Sequence, residues 1–144
     1  MKTFLGYMGL VPFLLLPIVI LVSNGAASLA YLYTFFIYSG AIAIFMAGAN
    51  WGRVVTLQTE RKTVLLMSNL VTLFVIALSI LSLHNPVLVL IGLVIAHIAN
   101  VLCEPKLDQE AYMKMRYLLT TGVVLSHGVV IFALWLTHTR VLPH

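Results

Sequence analysis

The chain has 144 residues, of which 62% are hydrophobic and only 8% are charged. Soluble globular domains carry about 25% charged residues, so this composition excludes a water-soluble fold and indicates an integral membrane protein. Eight basic residues against four acidic ones give a net charge of +4. These charges lie mostly in short loops, which indicates membrane topology and argues against a nucleic-acid partner.

Five apolar stretches are long enough to cross a bilayer as helices, because a hydrocarbon core of about 30 Å needs about 20 helical residues. They cover residues 4–22, 31–52, 63–83, 86–103 and 117–136. Since the linkers are short, we expect one all-α domain over residues 1–144, an integral membrane bundle of about five transmembrane helices. The first stretch has a competing interpretation as a cleaved signal peptide, because small residues follow it at 25–28.

The basic residues are distributed unevenly over the two sides of this predicted bundle. Only Arg140 lies on the side that carries the C-terminus. The others lie together on the opposite side: Lys2, Arg53, Arg61, Lys62, Lys106, Lys114 and Arg116. The positive-inside rule therefore places the N-terminus in the cytoplasm and the C-terminus across the membrane. This predicts a multi-pass protein of a cell inner (cytoplasmic) membrane, with the mitochondrial inner membrane as the alternative.

Small residues recur at four-residue spacing in the second and fourth stretches. Gly48 and Gly52 form a G-x-x-x-G arrangement, and Gly92 and Ala96 have the same spacing. Because lipid tails are as apolar as leucine, membrane helices associate where small residues let their backbones approach closely. We expect these four residues to pack spans two and four together. Pairing with another subunit is the alternative.

A polar face marks the end of the fourth span. His97, Asn100 and Glu104 lie at i, i+3 and i+7, which places them on one side of a helix. Asn50 and Arg53 end the second span at the same predicted depth. Ionisable groups in hydrocarbon usually face a bundle interior or a cleft, so these five residues are the candidate ligand cluster, with Arg53 paired to Glu104. The competing interpretation has both charges meeting water at the interface, while His97 and the asparagines only join helices.

Motifs for catalysis or metal binding are not evident. Cys103 is the only cysteine, and neither H-E-x-x-H nor G-x-S-x-G occurs. His97 and His127 differ in expected depth by roughly one helical turn, which argues against a haem held by both. We assign no catalytic residue, metal ligand or cofactor, and an enzyme is not favoured. The protonation of His97, His127 and Glu104 is not determined by the sequence.

Three segments together carry a family resemblance: residues 5–13, residues 38–52 ending in Gly-Ala-Asn-Trp-Gly, and residues 112–120 around Arg116. They resemble the bacterial and mitochondrial membrane family called domain of unknown function 3429, which includes transmembrane protein 69. The resemblance implies a small multi-span inner-membrane protein and supplies no reaction or cofactor. Family members often carry His or Arg at the place of Asn50, and the neutral amide here weakens a metal or proton-relay role.

Two functions fit these observations. The first is an accessory or structural membrane protein that associates with another membrane protein or with itself through small-residue faces. The alternative is binding of a lipophilic small molecule, a lipid or a quinone, in a polar-lined cleft between spans two and four. A transporter is disfavoured because the chain is small and lacks paired broken helices.

Overall fold

The computed structural model describes residues 6–23, 25–56, 61–82, 84–104 and 110–141, with side chains up to residue 137. Five helices follow one another in this part of the chain: α1 (Val11–Val22), α2 (Gly25–Thr56), α3 (Lys62–Leu81), α4 (Pro86–Leu102) and α5 (Glu110–Val141). Three of them, α2, α3 and α5, are long and apolar enough to cross a membrane. The shorter apolar helices are α1 with the turn before it, and α4.

Two helices are longer than the predicted spans. Both α2 and α5 have 32 residues, which corresponds to about 48 Å at the usual rise. Helix α2 begins at Gly25, whose φ of 60° is a conformation that glycine adopts without steric penalty. Helix α5 begins at Glu110, so the segment before the predicted fifth span already forms its first two turns. The polar side chains of residues 110–116 therefore belong to α5.

The start of α4 follows from its first residues. The Asn85 side chain accepts a hydrogen bond of 3.0 Å from the backbone N–H of Leu88, and Pro86 occupies the first helical turn. Asparagine is a preferred N-cap, and proline suits the first turn because its missing N–H would have no partner there. The turn at His84-Asn85-Pro86 thus sets where α4 enters the bundle.

The helices pack as a ring with one contact across it. Helix α1 packs against α2 and α5, α4 packs against α3 and α5, and α2 contacts both α3 and α4. The interior contains the fully buried Phe13, Phe35, Leu90 and Val130. Large apolar side chains also cover the outer surface, where Ile37 is 73% exposed. Such a surface suits contact with lipid tails.

The glycines predicted to join α2 and α4 require a correction. A Cβ built on Gly48 or Gly52 meets no atom within 4 Å among the residues described, so neither packs against α4. A Cβ on Gly92 would lie 2.6 Å from the Leu78 side chain, so Gly92 packs against α3. Ala96 is buried, with 1% of its surface exposed. The pairing of Gly48 and Gly52 with another subunit stays a prediction.

Several residues used in the sequence predictions lie outside the described part of the chain. These are Lys2, Lys106, the side chain of Arg140, and the span-edge residues 4, 5 and 83.

Candidate functional site

Four polar side chains meet where three helix ends come together. Arg53 lies in the last turn of α2, Glu104 follows the end of α4, and Tyr112 and Arg116 lie in the first two turns of α5. We call these four residues the carboxylate cluster. The end of α4 lies beside the first turns of α5, so Glu104 faces α5 as well as α2.

Glu104 is the centre of the carboxylate cluster. Arg116 Nε donates to Glu104 Oε2 at 2.7 Å, and the Tyr112 hydroxyl donates to Oε1 at 2.7 Å. Arg53 donates from one terminal nitrogen to Oε1 and from the other to the Tyr112 hydroxyl oxygen. The Arg53 guanidinium also lies over the Tyr112 ring, 4.5 Å from its centroid. The Glu104 side chain is completely buried, and both of its oxygens accept hydrogen bonds from the three partners.

The charges of the carboxylate cluster do not cancel. Burial by itself raises the pKa of Glu104, but hydrogen bonds from Arg116 and Tyr112, with the Arg116 charge and the Arg53 hydrogen bond, bring that pKa below its usual value. The carboxylate is therefore ionised at neutral pH. Two guanidinium groups against one carboxylate leave one unit of positive charge on the cluster, next to apolar walls.

Arg116 has hydrogen-bond donors that Glu104 does not use. Only 6% of its surface is exposed, and Glu104 takes its Nε. Within the described residues, no partner accepts from its two terminal nitrogens. A guanidinium has five N–H donors in a planar fork, and the terminal ones match carboxylate and phosphate oxygens. Arg116 is thus a buried cation whose terminal donors have no acceptor among the residues described.

A cavity of about 350 Å³ lies between α1, α2, α4 and α5, and the carboxylate cluster contributes to its wall. Arg53, Tyr112 and Arg116 line it, and His97 and Asn100 of α4 line it as well. The rest of the wall is mainly apolar: Leu10, Phe13, Ile42, Phe45, Met46, Met115, Leu119 and Val123. A mostly apolar cavity with a few polar groups is the usual form of a small-molecule site.

The two asparagines of the predicted cluster join α2 and α4. Asn50 Nδ2 donates to the Asn100 carbonyl oxygen at 2.8 Å, and Asn100 Nδ2 donates to the Ala43 carbonyl oxygen at 2.9 Å. Both asparagines are buried. Such bonds hold membrane helices together. Asn50 is therefore a helix-joining residue and does not line the cavity.

A second polar group lies deeper in the bundle, and we call Ser39, His97 and His127 the histidine group. Ser39 Oγ lies 3.0 Å from His97 Nε2 and 3.0 Å from His127 Nε2. His127 Nδ1 lies 2.8 Å from the Val123 carbonyl oxygen, one turn earlier in α5. The two imidazole centroids are 5.8 Å apart. Three helices, α2, α4 and α5, are thus connected through one serine hydroxyl.

The structure divides the predicted five-residue cluster into parts. Arg53 and Glu104 are together as predicted, Asn50 and Asn100 join helices, and His97 belongs to the histidine group. The depth difference expected between His97 and His127 does not keep the rings apart, because a side chain reaches several ångströms from its own Cα along the helix.

The sequence reasoning missed three members of these groups. Tyr112 was given no site role and Arg116 was counted as a loop charge, but the two are one turn apart on α5 and both bind Glu104. Recognising that α5 starts at Glu110 would have placed them on one helix face. Ser39 has no sequence signal of its own, since a serine in an apolar span usually bonds to its own helix backbone. Within the residues described, no three His, Cys, Asp or Glu side chains are grouped as metal ligands.

Comparison with known proteins places the chain in a family without giving it an activity. No curated protein and no solved structure matches it. A family model matches residues 1–132, nearly the whole chain, and carries the description of a protein of unknown function (DUF3429). The resemblance seen in the three sequence segments is thereby confirmed, and the chain belongs to the DUF3429 family.

Proposed function

We propose that this chain is a multi-pass membrane protein that binds an amphiphile with an anionic head group in the cavity between α1, α2, α4 and α5. The head group contacts Arg116, and the tail lies along the apolar walls. This is the small-molecule alternative of the sequence analysis, with the ligand specified as an anionic amphiphile instead of any lipid or quinone. The observation that carries it is the buried Arg116 guanidinium, whose terminal nitrogens have no acceptor within the described residues.

The charge of the carboxylate cluster supports an anionic ligand. A buried charge without a counter-charge is unfavourable by several kcal/mol, at about 3–5 kcal/mol when one partner of a pair is missing. Glu104 compensates one guanidinium, and one positive charge remains. A phosphate or carboxylate head group compensates it and accepts from both terminal nitrogens of Arg116. A neutral quinone leaves the charge uncompensated, so the quinone is the weaker candidate.

The cavity also suits the hydrocarbon part of an amphiphile. Its volume of about 350 Å³ lies within the usual range of ligand sites, about 300–1,000 Å³. Phe13, Ile42 and Leu119 are among its apolar lining residues. Tail burial therefore contributes affinity through apolar contact, while Arg116 selects the head group.

The proposal includes the membrane placement expected from the sequence: five spans, an N-terminus in the cytoplasm, and a cell inner membrane, with the mitochondrial inner membrane as the alternative. In this orientation Arg53 and Arg116 lie on the basic side. Anionic lipids attract basic residues at a cytoplasmic membrane surface. The carboxylate cluster then lies at head-group depth, where an anionic lipid enters from the bilayer.

The test is binding of dodecyl phosphate to the purified protein in neutral detergent, followed by native mass spectrometry. We expect wild type to bind one molecule and Arg116→Gln to bind about tenfold or more weakly, because a charge-assisted hydrogen bond contributes about 1.5–3 kcal/mol. Lys114→Gln is the matched control, since it removes the same charge two residues away on an exposed side chain. Equal binding by Arg116→Gln and Lys114→Gln, or no binding to wild type, overturns the proposal.

A second function, association with another membrane protein or with a second copy, is supported by the free surface of α2. Gly48 and Gly52 keep their G-x-x-x-G arrangement without a neighbour within the described residues. Gly48→Leu is expected to abolish an oligomer or a co-purified partner seen with wild type by native mass spectrometry. Ala77→Leu adds the same side chain at an exposed position of α3 and serves as control. Unchanged association in Gly48→Leu contradicts this function.

A further inference from the structure

The hydrogen bonds of the histidine group determine which ring nitrogens carry hydrogen. The Val123 carbonyl oxygen only accepts hydrogen bonds, and it lies 2.8 Å from His127 Nδ1. His127 Nδ1 must therefore be protonated and donate to it. In a neutral imidazole the other nitrogen, His127 Nε2, is then an acceptor.

Both imidazoles are best described as neutral. His127 has no exposed surface and His97 has 5%, and each lies inside a helix of the apolar bundle. Their hydrogen bonds in the described residues go to Ser39 and the Val123 carbonyl, and neither contacts a carboxylate. A charge without a counter-charge at such a position is strongly unfavourable.

One assignment then satisfies every bond of the group. Ser39 has a single hydroxyl hydrogen, which it donates to the acceptor His127 Nε2. Ser39 Oγ is thereby left as an acceptor, so His97 Nε2 carries hydrogen and donates to it. Since His97 is neutral, its Nδ1 has a lone pair. The histidine group thus fixes His97 as an acceptor at Nδ1.

Within the described residues the His97 ring bonds to Ser39 through Nε2, no hydrogen bond is seen at its Nδ1, and the ring lines the cavity. His127 uses its own Nδ1 to donate to the carbonyl four residues earlier, whereas a His97 Nδ1 without hydrogen cannot do so. Counting the described residues alone, the cavity wall therefore presents two groups without a hydrogen-bond partner: the terminal donors of Arg116 and the Nδ1 acceptor of His97.

We infer that the ligand of this cavity carries a hydroxyl or similar donor near its anionic head group, and that this donor binds His97 Nδ1. The inference rests on the proposed function and specifies its ligand class. A hydroxylated anionic amphiphile satisfies both Arg116 and His97. A plain anionic amphiphile satisfies only Arg116, and an ether in place of the hydroxyl brings an acceptor against an acceptor. A lysophosphatidic acid and a hydroxy fatty acid share the required chemistry.

The tautomer is tested directly, without any ligand. Nitrogen-15 NMR of histidine-labelled protein in detergent, with resonances assigned through His97→Asn and His127→Asn, is expected to show an unprotonated Nδ1 and a protonated Nε2 for His97. His127 is expected to show the opposite pattern. A protonated Nδ1 in His97 overturns the inference, whatever the outcome of the dodecyl phosphate experiment.

The ligand class is tested with three matched probes: dodecyl phosphate, 2-hydroxydodecyl phosphate and 2-methoxydodecyl phosphate. The hydroxy compound is expected to bind about fivefold tighter than the methoxy compound, the effect of one net hydrogen bond of about 1 kcal/mol. Ser39→Ala removes the hydrogen bond that fixes the His97 tautomer and is expected to reduce this ratio. Equal binding of the hydroxy and methoxy compounds by wild type overturns the inference.

The probes separate this inference from the proposed function. Failure of all three to bind overturns the proposed function, whereas equal binding of all three overturns only the hydroxyl requirement. If Ser39→Ala does not fold, the wild-type ratio and the NMR pattern decide. Adding 3-hydroxydodecanoate and dodecanoyl lysophosphatidic acid to the series identifies the head group: tighter binding of the first supports a hydroxy fatty acid, and of the second a lysophospholipid.

Discussion

The carboxylate cluster and the histidine group contribute to the same cavity but handle polarity in opposite ways. The carboxylate cluster keeps three formal charges at helix ends, where Arg53 still has 26% of its side chain exposed. The histidine group lies deeper, contains no carboxylate or guanidinium, and uses a serine hydroxyl between two imidazoles. The surplus charge thus lies at the helix ends, and uncharged hydrogen-bonding groups replace it further inside the bundle.

Under the proposed function, this difference gives the cavity a two-part recognition surface. The charged part attracts an anion with little regard to its identity, since any phosphate or carboxylate satisfies a guanidinium. The histidine group discriminates between ligands. An unprotonated His97 Nδ1 accepts a hydrogen bond from a hydroxyl and is unfavourable beside another acceptor. Variants that disturb each part separately therefore have effects of different size and different pH dependence.

The largest effect is expected for Glu104→Ala, which leaves the buried Arg116 and the half-buried Arg53 without their carboxylate. We expect a loss of about 3–5 kcal/mol in the free energy of unfolding, because a buried charge becomes unpaired. Unfolding in mixed detergent with increasing dodecyl sulfate measures it. Glu110→Ala removes an exposed carboxylate paired to Lys114, and is expected to change stability by about 0.5 kcal/mol at most. Equal effects of the two variants contradict the central role of Glu104.

The difference in stability between wild type and Glu104→Gln is expected to depend on pH, which tests the ion pairs of Glu104. The pKa of Glu104 is lowered in the folded protein, so its ionised form stabilises the fold above the ordinary glutamate pKa of about 4.3. That stabilisation decreases as the pH falls through the lowered pKa. Wild type is therefore expected to exceed Glu104→Gln in stability at pH 7, and this difference is expected to disappear in acid. A difference that is constant from neutral to acidic pH contradicts the ion pairs.

A smaller effect is expected for Ser39→Ala, which removes the shared partner of His97 and His127. Two buried ring nitrogens lose a hydrogen bond, so the expected loss in the free energy of unfolding is about 1–3 kcal/mol. Ser68→Ala is the matched control, because Ser68 is also buried but bonds only to the Val64 carbonyl of its own helix. Its expected effect is below about 1 kcal/mol. If Ser68→Ala is as destabilising as Ser39→Ala, the bridge between the two imidazoles is not what stabilises the bundle.

The smallest effect is expected for Arg53→Gln. Its side chain is partly exposed, and Glu104 keeps Arg116 and Tyr112, so we expect a loss in the free energy of unfolding of about 1 kcal/mol at most. The same unfolding measurement compares it with Arg116→Gln, whose side chain is nearly buried. A larger loss for Arg53→Gln than for Arg116→Gln reverses the order assigned to the two guanidinium groups.

The pairing of Arg53 with Glu104 was accessible from the sequence because spacing along each span gives an approximate depth. The asparagines join α2 and α4 as the competing interpretation expected, and Asn50 does not line the cavity. The packing of Gly48 and Gly52 against α4 was predicted incorrectly, because a G-x-x-x-G pattern gives a helix a close-packing surface without specifying the partner. In this bundle α2 presents Ala43 and Ala47 to the interior, both fully buried, and the glycines remain on its outer side.

By itself, the sequence determined the apolar character, the helical class, the family and the approximate positions of the apolar helices. These properties depend on composition and on local periodicity, which each segment carries alone. Only the tertiary structure decided that Arg116 and Tyr112 share Glu104 with Arg53, and that Ser39 connects His97 to His127. These contacts depend on how three helices are rotated and shifted against one another. Because an apolar helix contacts lipid equally well in many rotations about its axis, its own sequence does not specify which side chains meet.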